Sequence, residues 1–205
     1  MKSFSRLFVL GMGLTMFGQT AIAAEVVAPA GAPMVDEKAA MMAKAKAAMS
    51  PNENHKALQT LAGKWNAVSK FWMSPEAPPE ESAGTSATEM VYGGRFLKET
   101  FKGTWQGEPF EGTGYTGYDN VKQEYQSVWI DGASTSIMNS TGAYDAATKT
   151  FRFSGTVSCP ITGQRDMKMR MEHVIIDNDH HTLTGWNTGT DGQEIKGMEI
   201  AYTRA

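Results

Sequence analysis

From Lys64 to its end the chain is written in short alternating runs, rich in Thr, Tyr, Phe, Trp and Val and broken by Gly and Asp every ten or so residues. Alternation of period two puts one face of a segment on a core and the other in water, so each run predicts a half-buried strand. The pattern places strands near 64–73, 85–92, 95–105, 109–118, 124–131, 134–143, 150–158, 166–176, 182–188 and 194–203. Three intervening turns share one spacing, an apolar residue and an Asp followed six residues later by a second apolar residue: Tyr118-Asp119 to Tyr125, Tyr144-Asp145 to Phe151, and Ile176-Asp177 to Leu183. An Asp there can accept from the backbone two residues on, which starts a turn and holds the register of its flanking strands. Consecutive strands then pair as a meander, and one this long must curl or close to hide its edges. The expected fold is mainly β, an antiparallel up-and-down barrel of about eight to ten strands over residues 54–205, preceded by one or two short helices.

Upstream, the grammar is different. Lys2 and Arg6 precede an uncharged apolar run from Leu7 to Phe17, and Ala21-Ile22-Ala23 reads as a small-residue cleavage site, so residues 1–23 are expected to be an export signal. The apolar run is shorter than the ~20 residues of a spanning helix, and no later segment is apolar enough to cross a bilayer. The expected address is therefore outside the cytoplasm: the periplasm in a Gram-negative source, the medium otherwise. Residues 24–53 read as a flexible leader containing a helix at Asp36–Met49, where acids come first and lysines later, as a helix dipole prefers. A second short helix is expected at Asn54–Ala62, with His55, Leu58 and Leu61 on one face and Gly63 as its stop. The whole chain carries a net charge of −3, and loss of the signal makes the remainder more acidic, which argues against nucleic acid as a partner. Cys159 is the single cysteine, so no disulfide forms within the chain.

The passage Leu61-Ala62-Gly63-Lys64-Trp65 resembles the G-x-W opening of the calycins, the superfamily of lipocalins, fatty-acid-binding proteins and nitrobindin-like barrels. The resemblance implies that Gly63 and Trp65 sit at the closed end of the barrel and that Arg204, late in the last strand, packs across the indole. More closely, the chain from about Asn54 onward resembles a bacterial family defined as domain of unknown function 1579. The matching features are His55 with Leu58, Gly63-Lys64-Trp65, Tyr92-Gly93-Gly94-Arg95-Phe96-Leu97, Gly114 to Gly117-Tyr118-Asp119, and Trp129-Ile130-Asp131. This likeness implies a calycin-like fold and brings no established activity with it.

Candidate chemistry is sparse. No nucleophile elbow, zinc-protease helix, phosphate loop or dinucleotide fingerprint is present, so an enzyme has no positive argument and a non-enzyme is favoured. His180 and His181 follow Asp177-Asn178-Asp179 in an expected turn, where solvated side chains are the plain reading. In Met167 to His173 the alternation puts three methionines and His173 on one face, opposite Lys168, Arg170 and Glu172. If that face points inward it forms a soft wall, and His173 could hold haem iron, as the nitrobindin-like resemblance implies. The favoured function is binding of a small, largely apolar ligand, with Phe71, Tyr92, Trp129 and Met169 as walls and Arg95 as polar anchor. No cofactor is expected on that reading. The alternatives are a haem or metal barrel using His173, and an envelope interaction module whose barrel is filled solid.

Overall fold

The computed structural model describes residues 34–159, 162–189 and 191–205. The export signal assigned to residues 1–23 and the start of the leader lie outside them. The chain divides into two units, Met1–Ala40 and Met41–Ala205. Helix α1 spans Met34–Ala48 and α2 spans Glu53–Gln59. Ten strands follow: β1 Gly63–Phe71, β2 Glu80–Val91, β3 Phe96–Trp105, β4 Glu108–Asp119, β5 Glu124–Asp131, β6 Met138–Asp145, β7 Thr150–Val157, β8 Met167–Ile175, β9 His180–Thr188 and β10 Glu194–Arg204. Each pairs antiparallel with the next, and β10 returns to β1, so the sheet is a closed up-and-down barrel without an edge. The closing seam runs from Trp65 opposite Arg204 to Phe71 opposite Met198.

Turn chemistry sets much of the register. Asp119 Oδ1 accepts from the backbone N–H of Val121 (2.8 Å) and Lys122 (3.0 Å), and Asp145 Oδ1 accepts likewise from Ala147 (3.0 Å) and Thr148 (3.3 Å). Tyr118 then faces Tyr125, and Tyr144 faces Phe151, at the predicted spacing. The third turn departs from it. Asp177 does accept from the N–H of Asp179, but Ile175 pairs with His181 and Leu183 pairs with His173. Strand β9 therefore begins at His180, two residues before the expected start, and His181 becomes a strand residue. Two other boundaries move. Glu80–Gly84 are poor strand formers, yet they pair with Phe71–Ala67, because the partner's register continues and overrides propensity. Residues 134–137 leave β6 for the preceding loop, where Asp131 Oδ1 binds the N–H of Ala133 and Ser134.

Alternation along the strands fills the interior in two layers. One cluster joins Leu58 and Leu61 from the α2 segment to Leu97, Tyr125, Phe151 and Phe153. The other joins Trp65, Ala67, Phe101, Ile200 and Tyr202, with Phe110, Trp129 and Leu183 against it. Helix α2 is fixed at its start by Asn52, whose Oδ1 accepts from the N–H of Asn54 (3.0 Å) while His55 Nδ1 accepts from the N–H of Asn52 (3.1 Å). The methionines 41 and 42 of α1 are exposed, and its end is held through backbone: Asn120 donates to the carbonyls of Ala48 and Ser50, and Arg95 to that of Met49.

Candidate functional site

A cavity of about 60 Å3 lies where the two clusters meet. That is room for roughly four to six waters. Its apolar lining is Leu58, Leu61, Leu97, Phe151 and Phe153, all from the cluster that includes α2, with Trp129 from the neighbouring layer. Thr88, Glu99, Thr116, Ser127, His173 and His181 supply polar groups.

Strand period explains how these groups come inside. Leu97 and Phe101 are buried, so Glu99 between them on β3 points inward as well. Its Oε1 accepts from Ser86 Oγ at 2.7 Å, and burial outweighs that bond to push its carboxyl above the usual range. On β8, His173 shares the inward face with Met169 and Met171, and on β9 His181 shares it with Leu183. The two imidazoles meet, His173 Nε2 lying 2.7 Å from His181 Nδ1. His181 is only 4% exposed, stands edge-on to Trp65 at 4.3 Å between ring centres, and stacks on Tyr202 at the same distance. Burial lowers His173 to about 4. Burial, then His173, then Arg204 lower His181 to about 2. Both rings are therefore neutral around pH 7, and the proton between them bonds one neutral imidazole to the other.

The closed end is assembled around Trp65. Its Nε1 donates to the carbonyl of Leu61 (3.1 Å) and to Thr88 Oγ1 (3.2 Å), and the Arg204 guanidinium lies 4.2 Å from the centre of the indole. Gly63 leaves space for that guanidinium: a Cβ there would stand 2.5 Å from Arg204 Nη1, in a backbone conformation with φ of 152° that other residues rarely adopt. Arg204 also donates through Nε to Asp179 Oδ1 and to the carbonyl of Asn178, tying the β8–β9 turn to the last strand.

Of the five residues expected to form walls and anchor, Trp129 lines the cavity. Its indole lies over Gly112 and Gly114 of β4, where added Cβ atoms would stand 2.1 and 2.8 Å from the ring, and its Nε1 donates to Asp131 Oδ2 at 2.9 Å. Met169 is buried on the inward face but does not line the cavity, and Phe71 is half-buried at the far end of β1. Tyr92 is 72% exposed in the β2–β3 turn, and Arg95 directs its guanidinium to the carbonyls of Tyr92 and Met49. The expectation that these two face a ligand is corrected: the Gly93-Gly94 turn carries both to the outside. His181, read as a solvated turn residue, is the larger correction, and Glu99 is the acidic group that the sequence left without a role. His180 keeps the turn role, with Nδ1 2.9 Å from Asp177 Oδ1.

A haem on His173 does not fit this geometry. The Nε2 that would ligate iron is engaged with His181, and the cavity is several times smaller than a porphyrin. Among the described residues no group of three or more His, Cys, Asp or Glu side chains could hold a metal ion, and no helix is long and apolar enough to cross a membrane.

The sequence model of a family described as "Protein of unknown function (DUF1579)" matches residues 50–204, and the chain belongs to that family. No curated protein matches it. Among solved structures, Rv2717c from M. tuberculosis is similar with a TM-score of 0.57 at 16% identity, over 76% of this chain and 99% of that one. A redesigned β barrel matches with a TM-score of 0.37 at 14% identity over 73% and 95% of the two chains. A second redesigned barrel, bound to DFHBI, matches with 0.36 at 15% over 72% and 98%. The likeness to the mycobacterial protein is one of fold.

Proposed function

We propose that this barrel is a binding protein, acting outside the cytoplasm, that takes a small and largely apolar molecule into its interior without changing it chemically. The observation that carries the reading is the cavity between the two core layers, where one contiguous apolar cluster and an indole face six polar side chains. Close-packed interiors rarely leave such space, because unfilled volume forfeits contacts and costs stability. Apolar walls joined by convergent polar groups are also the general character of small-molecule sites.

Native mass spectrometry of the protein purified from its own source tests this. The expected spectrum contains a non-covalent adduct that is lost on denaturation. The cavity-filling variant Leu97→Phe should fold and emerge without it. A wild-type protein that is uniformly free of ligand, and whose unfolding temperature is unmoved by a panel of small apolar molecules, would refute the reading. Export is tested separately by locating the processed chain and sequencing its N-terminus, expected to begin at Ala24.

A further inference from the structure

The end of the barrel that holds α2 and Trp65 carries an apolar surface that neither the core nor the cavity uses. Tyr92 in the β2–β3 turn is 72% exposed, Val121 in the β4–β5 turn 78%, and Met49, where α1 ends, 65%. Single exposed hydrophobic side chains are ordinary, but these three are held together. Arg95 donates through Nη1 to the carbonyl of Tyr92 (3.1 Å) and through Nη2 to that of Met49 (2.9 Å). Asn120, next to Val121, donates to the carbonyls of Ala48 (2.9 Å) and Ser50 (2.8 Å), and accepts from Asn52 (2.7 Å). The two turns and the end of α1 thus form one platform. Its backbone is tied down and its large side chains are left in water. Ile176, in the β8–β9 turn of the same end, is exposed as well.

Charge indicates what covers this platform. The four turns of this end and the last turn of α1 carry Lys46, Arg95, Lys122 and Lys149 against Asp177 and Asp179. The acids are engaged: Asp179 pairs with Arg204, and Asp177 accepts from the N–H of Asp179 and meets the His180 ring. At neighbouring strand ends Asp119 and Asp145 accept from turn N–H groups. The cations are freer. Among the described residues Lys46, Arg95 and Lys149 have no ion-pair partner, and the carbonyls that Arg95 meets leave its charge in place. At the opposite end the sign reverses, the loops carrying Glu76, Asp166 and Asp191 against Arg165. The apolar tips therefore stand at the positive end of a chain whose net charge is −3. Apolar and tyrosine tips among unpaired cations match the headgroup layer of an anionic bilayer, where such tips enter the acyl boundary and lysine and arginine stay with the phosphates.

We propose that this end of the barrel docks peripherally on an anionic lipid surface, with Tyr92, Val121 and Met49 at the headgroup boundary and Lys46, Arg95 and Lys149 among the phosphates. The docking does not involve the cavity, so it stands or falls separately from the binding function above.

Co-sedimentation with vesicles tests this, using the protein purified from its own source. Binding should be clear on vesicles of phosphatidylglycerol and phosphatidylcholine in equal parts, weak on phosphatidylcholine alone, and reduced by high salt. The double variant Tyr92→Asn with Val121→Asn should lower the partition coefficient roughly ten-fold or more. Asn suits position 92, whose φ is 51°. Lys46→Gln and Lys149→Gln should each lower it roughly five-fold. All should keep the wild-type unfolding temperature, because the altered side chains lie at the surface. No binding to the mixed vesicles would overturn the proposal. Undiminished binding by the double variant would also overturn it, by placing the contact on another face. A dimer that dissociates in the double variant, without vesicle binding, would assign the platform to a second copy of the chain instead. If the double variant does not fold, the two lysine variants decide the matter, and equal binding by both and the wild type would overturn it.

Discussion

At one end of the barrel the strands are joined by the tight turns 92–95, 120–123, 146–149 and 176–179, and the mouth is filled by α2, Trp65 and Arg204. At the other, the turn 106–107 is tight but the connections 72–79, 132–137, 158–166 and 189–193 are longer, and β10 carries a bulge between Lys196 and Met198. The first end is stapled by contacts between residues remote in sequence, such as Arg204 with Asn178 and Asn120 with Ser50. Phe71 and Trp65 occupy the same face of β1, yet Phe71 at the far end is half-buried and Trp65 is 1% exposed. The difference teaches that inward orientation and depth are separate properties: period two sets the first, and position along the barrel sets the second.

The largest effect expected from this contrast is on stability. Trp65→Ala should cost about 3–5 kcal/mol in urea unfolding, as large core truncations do, whereas Phe71→Ala should cost clearly less. Equal losses would erase the distinction between the ends.

Acid should expose the same asymmetry. His173 and His181 are held neutral when folded and take protons more readily when unfolded, so the unfolded state binds more protons as pH falls below 6.5. Stability should therefore drop between pH 6.5 and about 4, by on the order of 2–3 kcal/mol for His173 alone if the pair is treated as independent. Glu99 acts in the opposite sense. Its raised pKa makes the folded state the better proton binder above 4.5, contributing stability that fades as pH rises. Unfolding midpoints measured across this range should flatten in His173→Leu and steepen in Glu99→Gln. An unchanged profile in both would mean that neither group is enclosed.

Ser86→Ala removes the donor to Glu99 and should cost about 1–2 kcal/mol by the same assay. The smallest change belongs outside the barrel. Arg95→Ala should lower global stability by no more than about 1 kcal/mol, and its signature should be faster amide exchange around Met49 and Ser50. Loss of a bound ligand in that variant would restore Arg95 to the site from which its geometry removes it.

How far the sequence could be read follows from the same separation of face and depth. The juxtaposition of Gly63, Trp65 and Arg204 was legible because a short motif and the last strand fix both partners. Leu58 and Leu61 were legible as one face of a short helix, although nothing local says that this face becomes the floor of a cavity. Met169 and Phe71 were read on the inward face, but alternation carries no information about height. Tyr92 and Arg95 were lost to the two glycines between them, whose positive φ turns the chain outward. His181 was lost to a turn reading two residues too long. A strand begun at His180 would have put His181 on the face of Leu183. Glu99 sits between Leu97 and Phe101 in the same alternation, so its inward orientation was available, while its lack of an ion-pair partner among the described residues was not.

The seam between the first strand and the last also orders events in time. Until Arg204 has been made, β1 has a neighbour on one side only, and the growing sheet keeps two unpaired edges. Closure brings together residues separated by nearly the whole domain, which makes it a slow, high-contact-order step. A chain of this design therefore keeps two exposed strand edges through most of its folding, and the last pairing removes both at once.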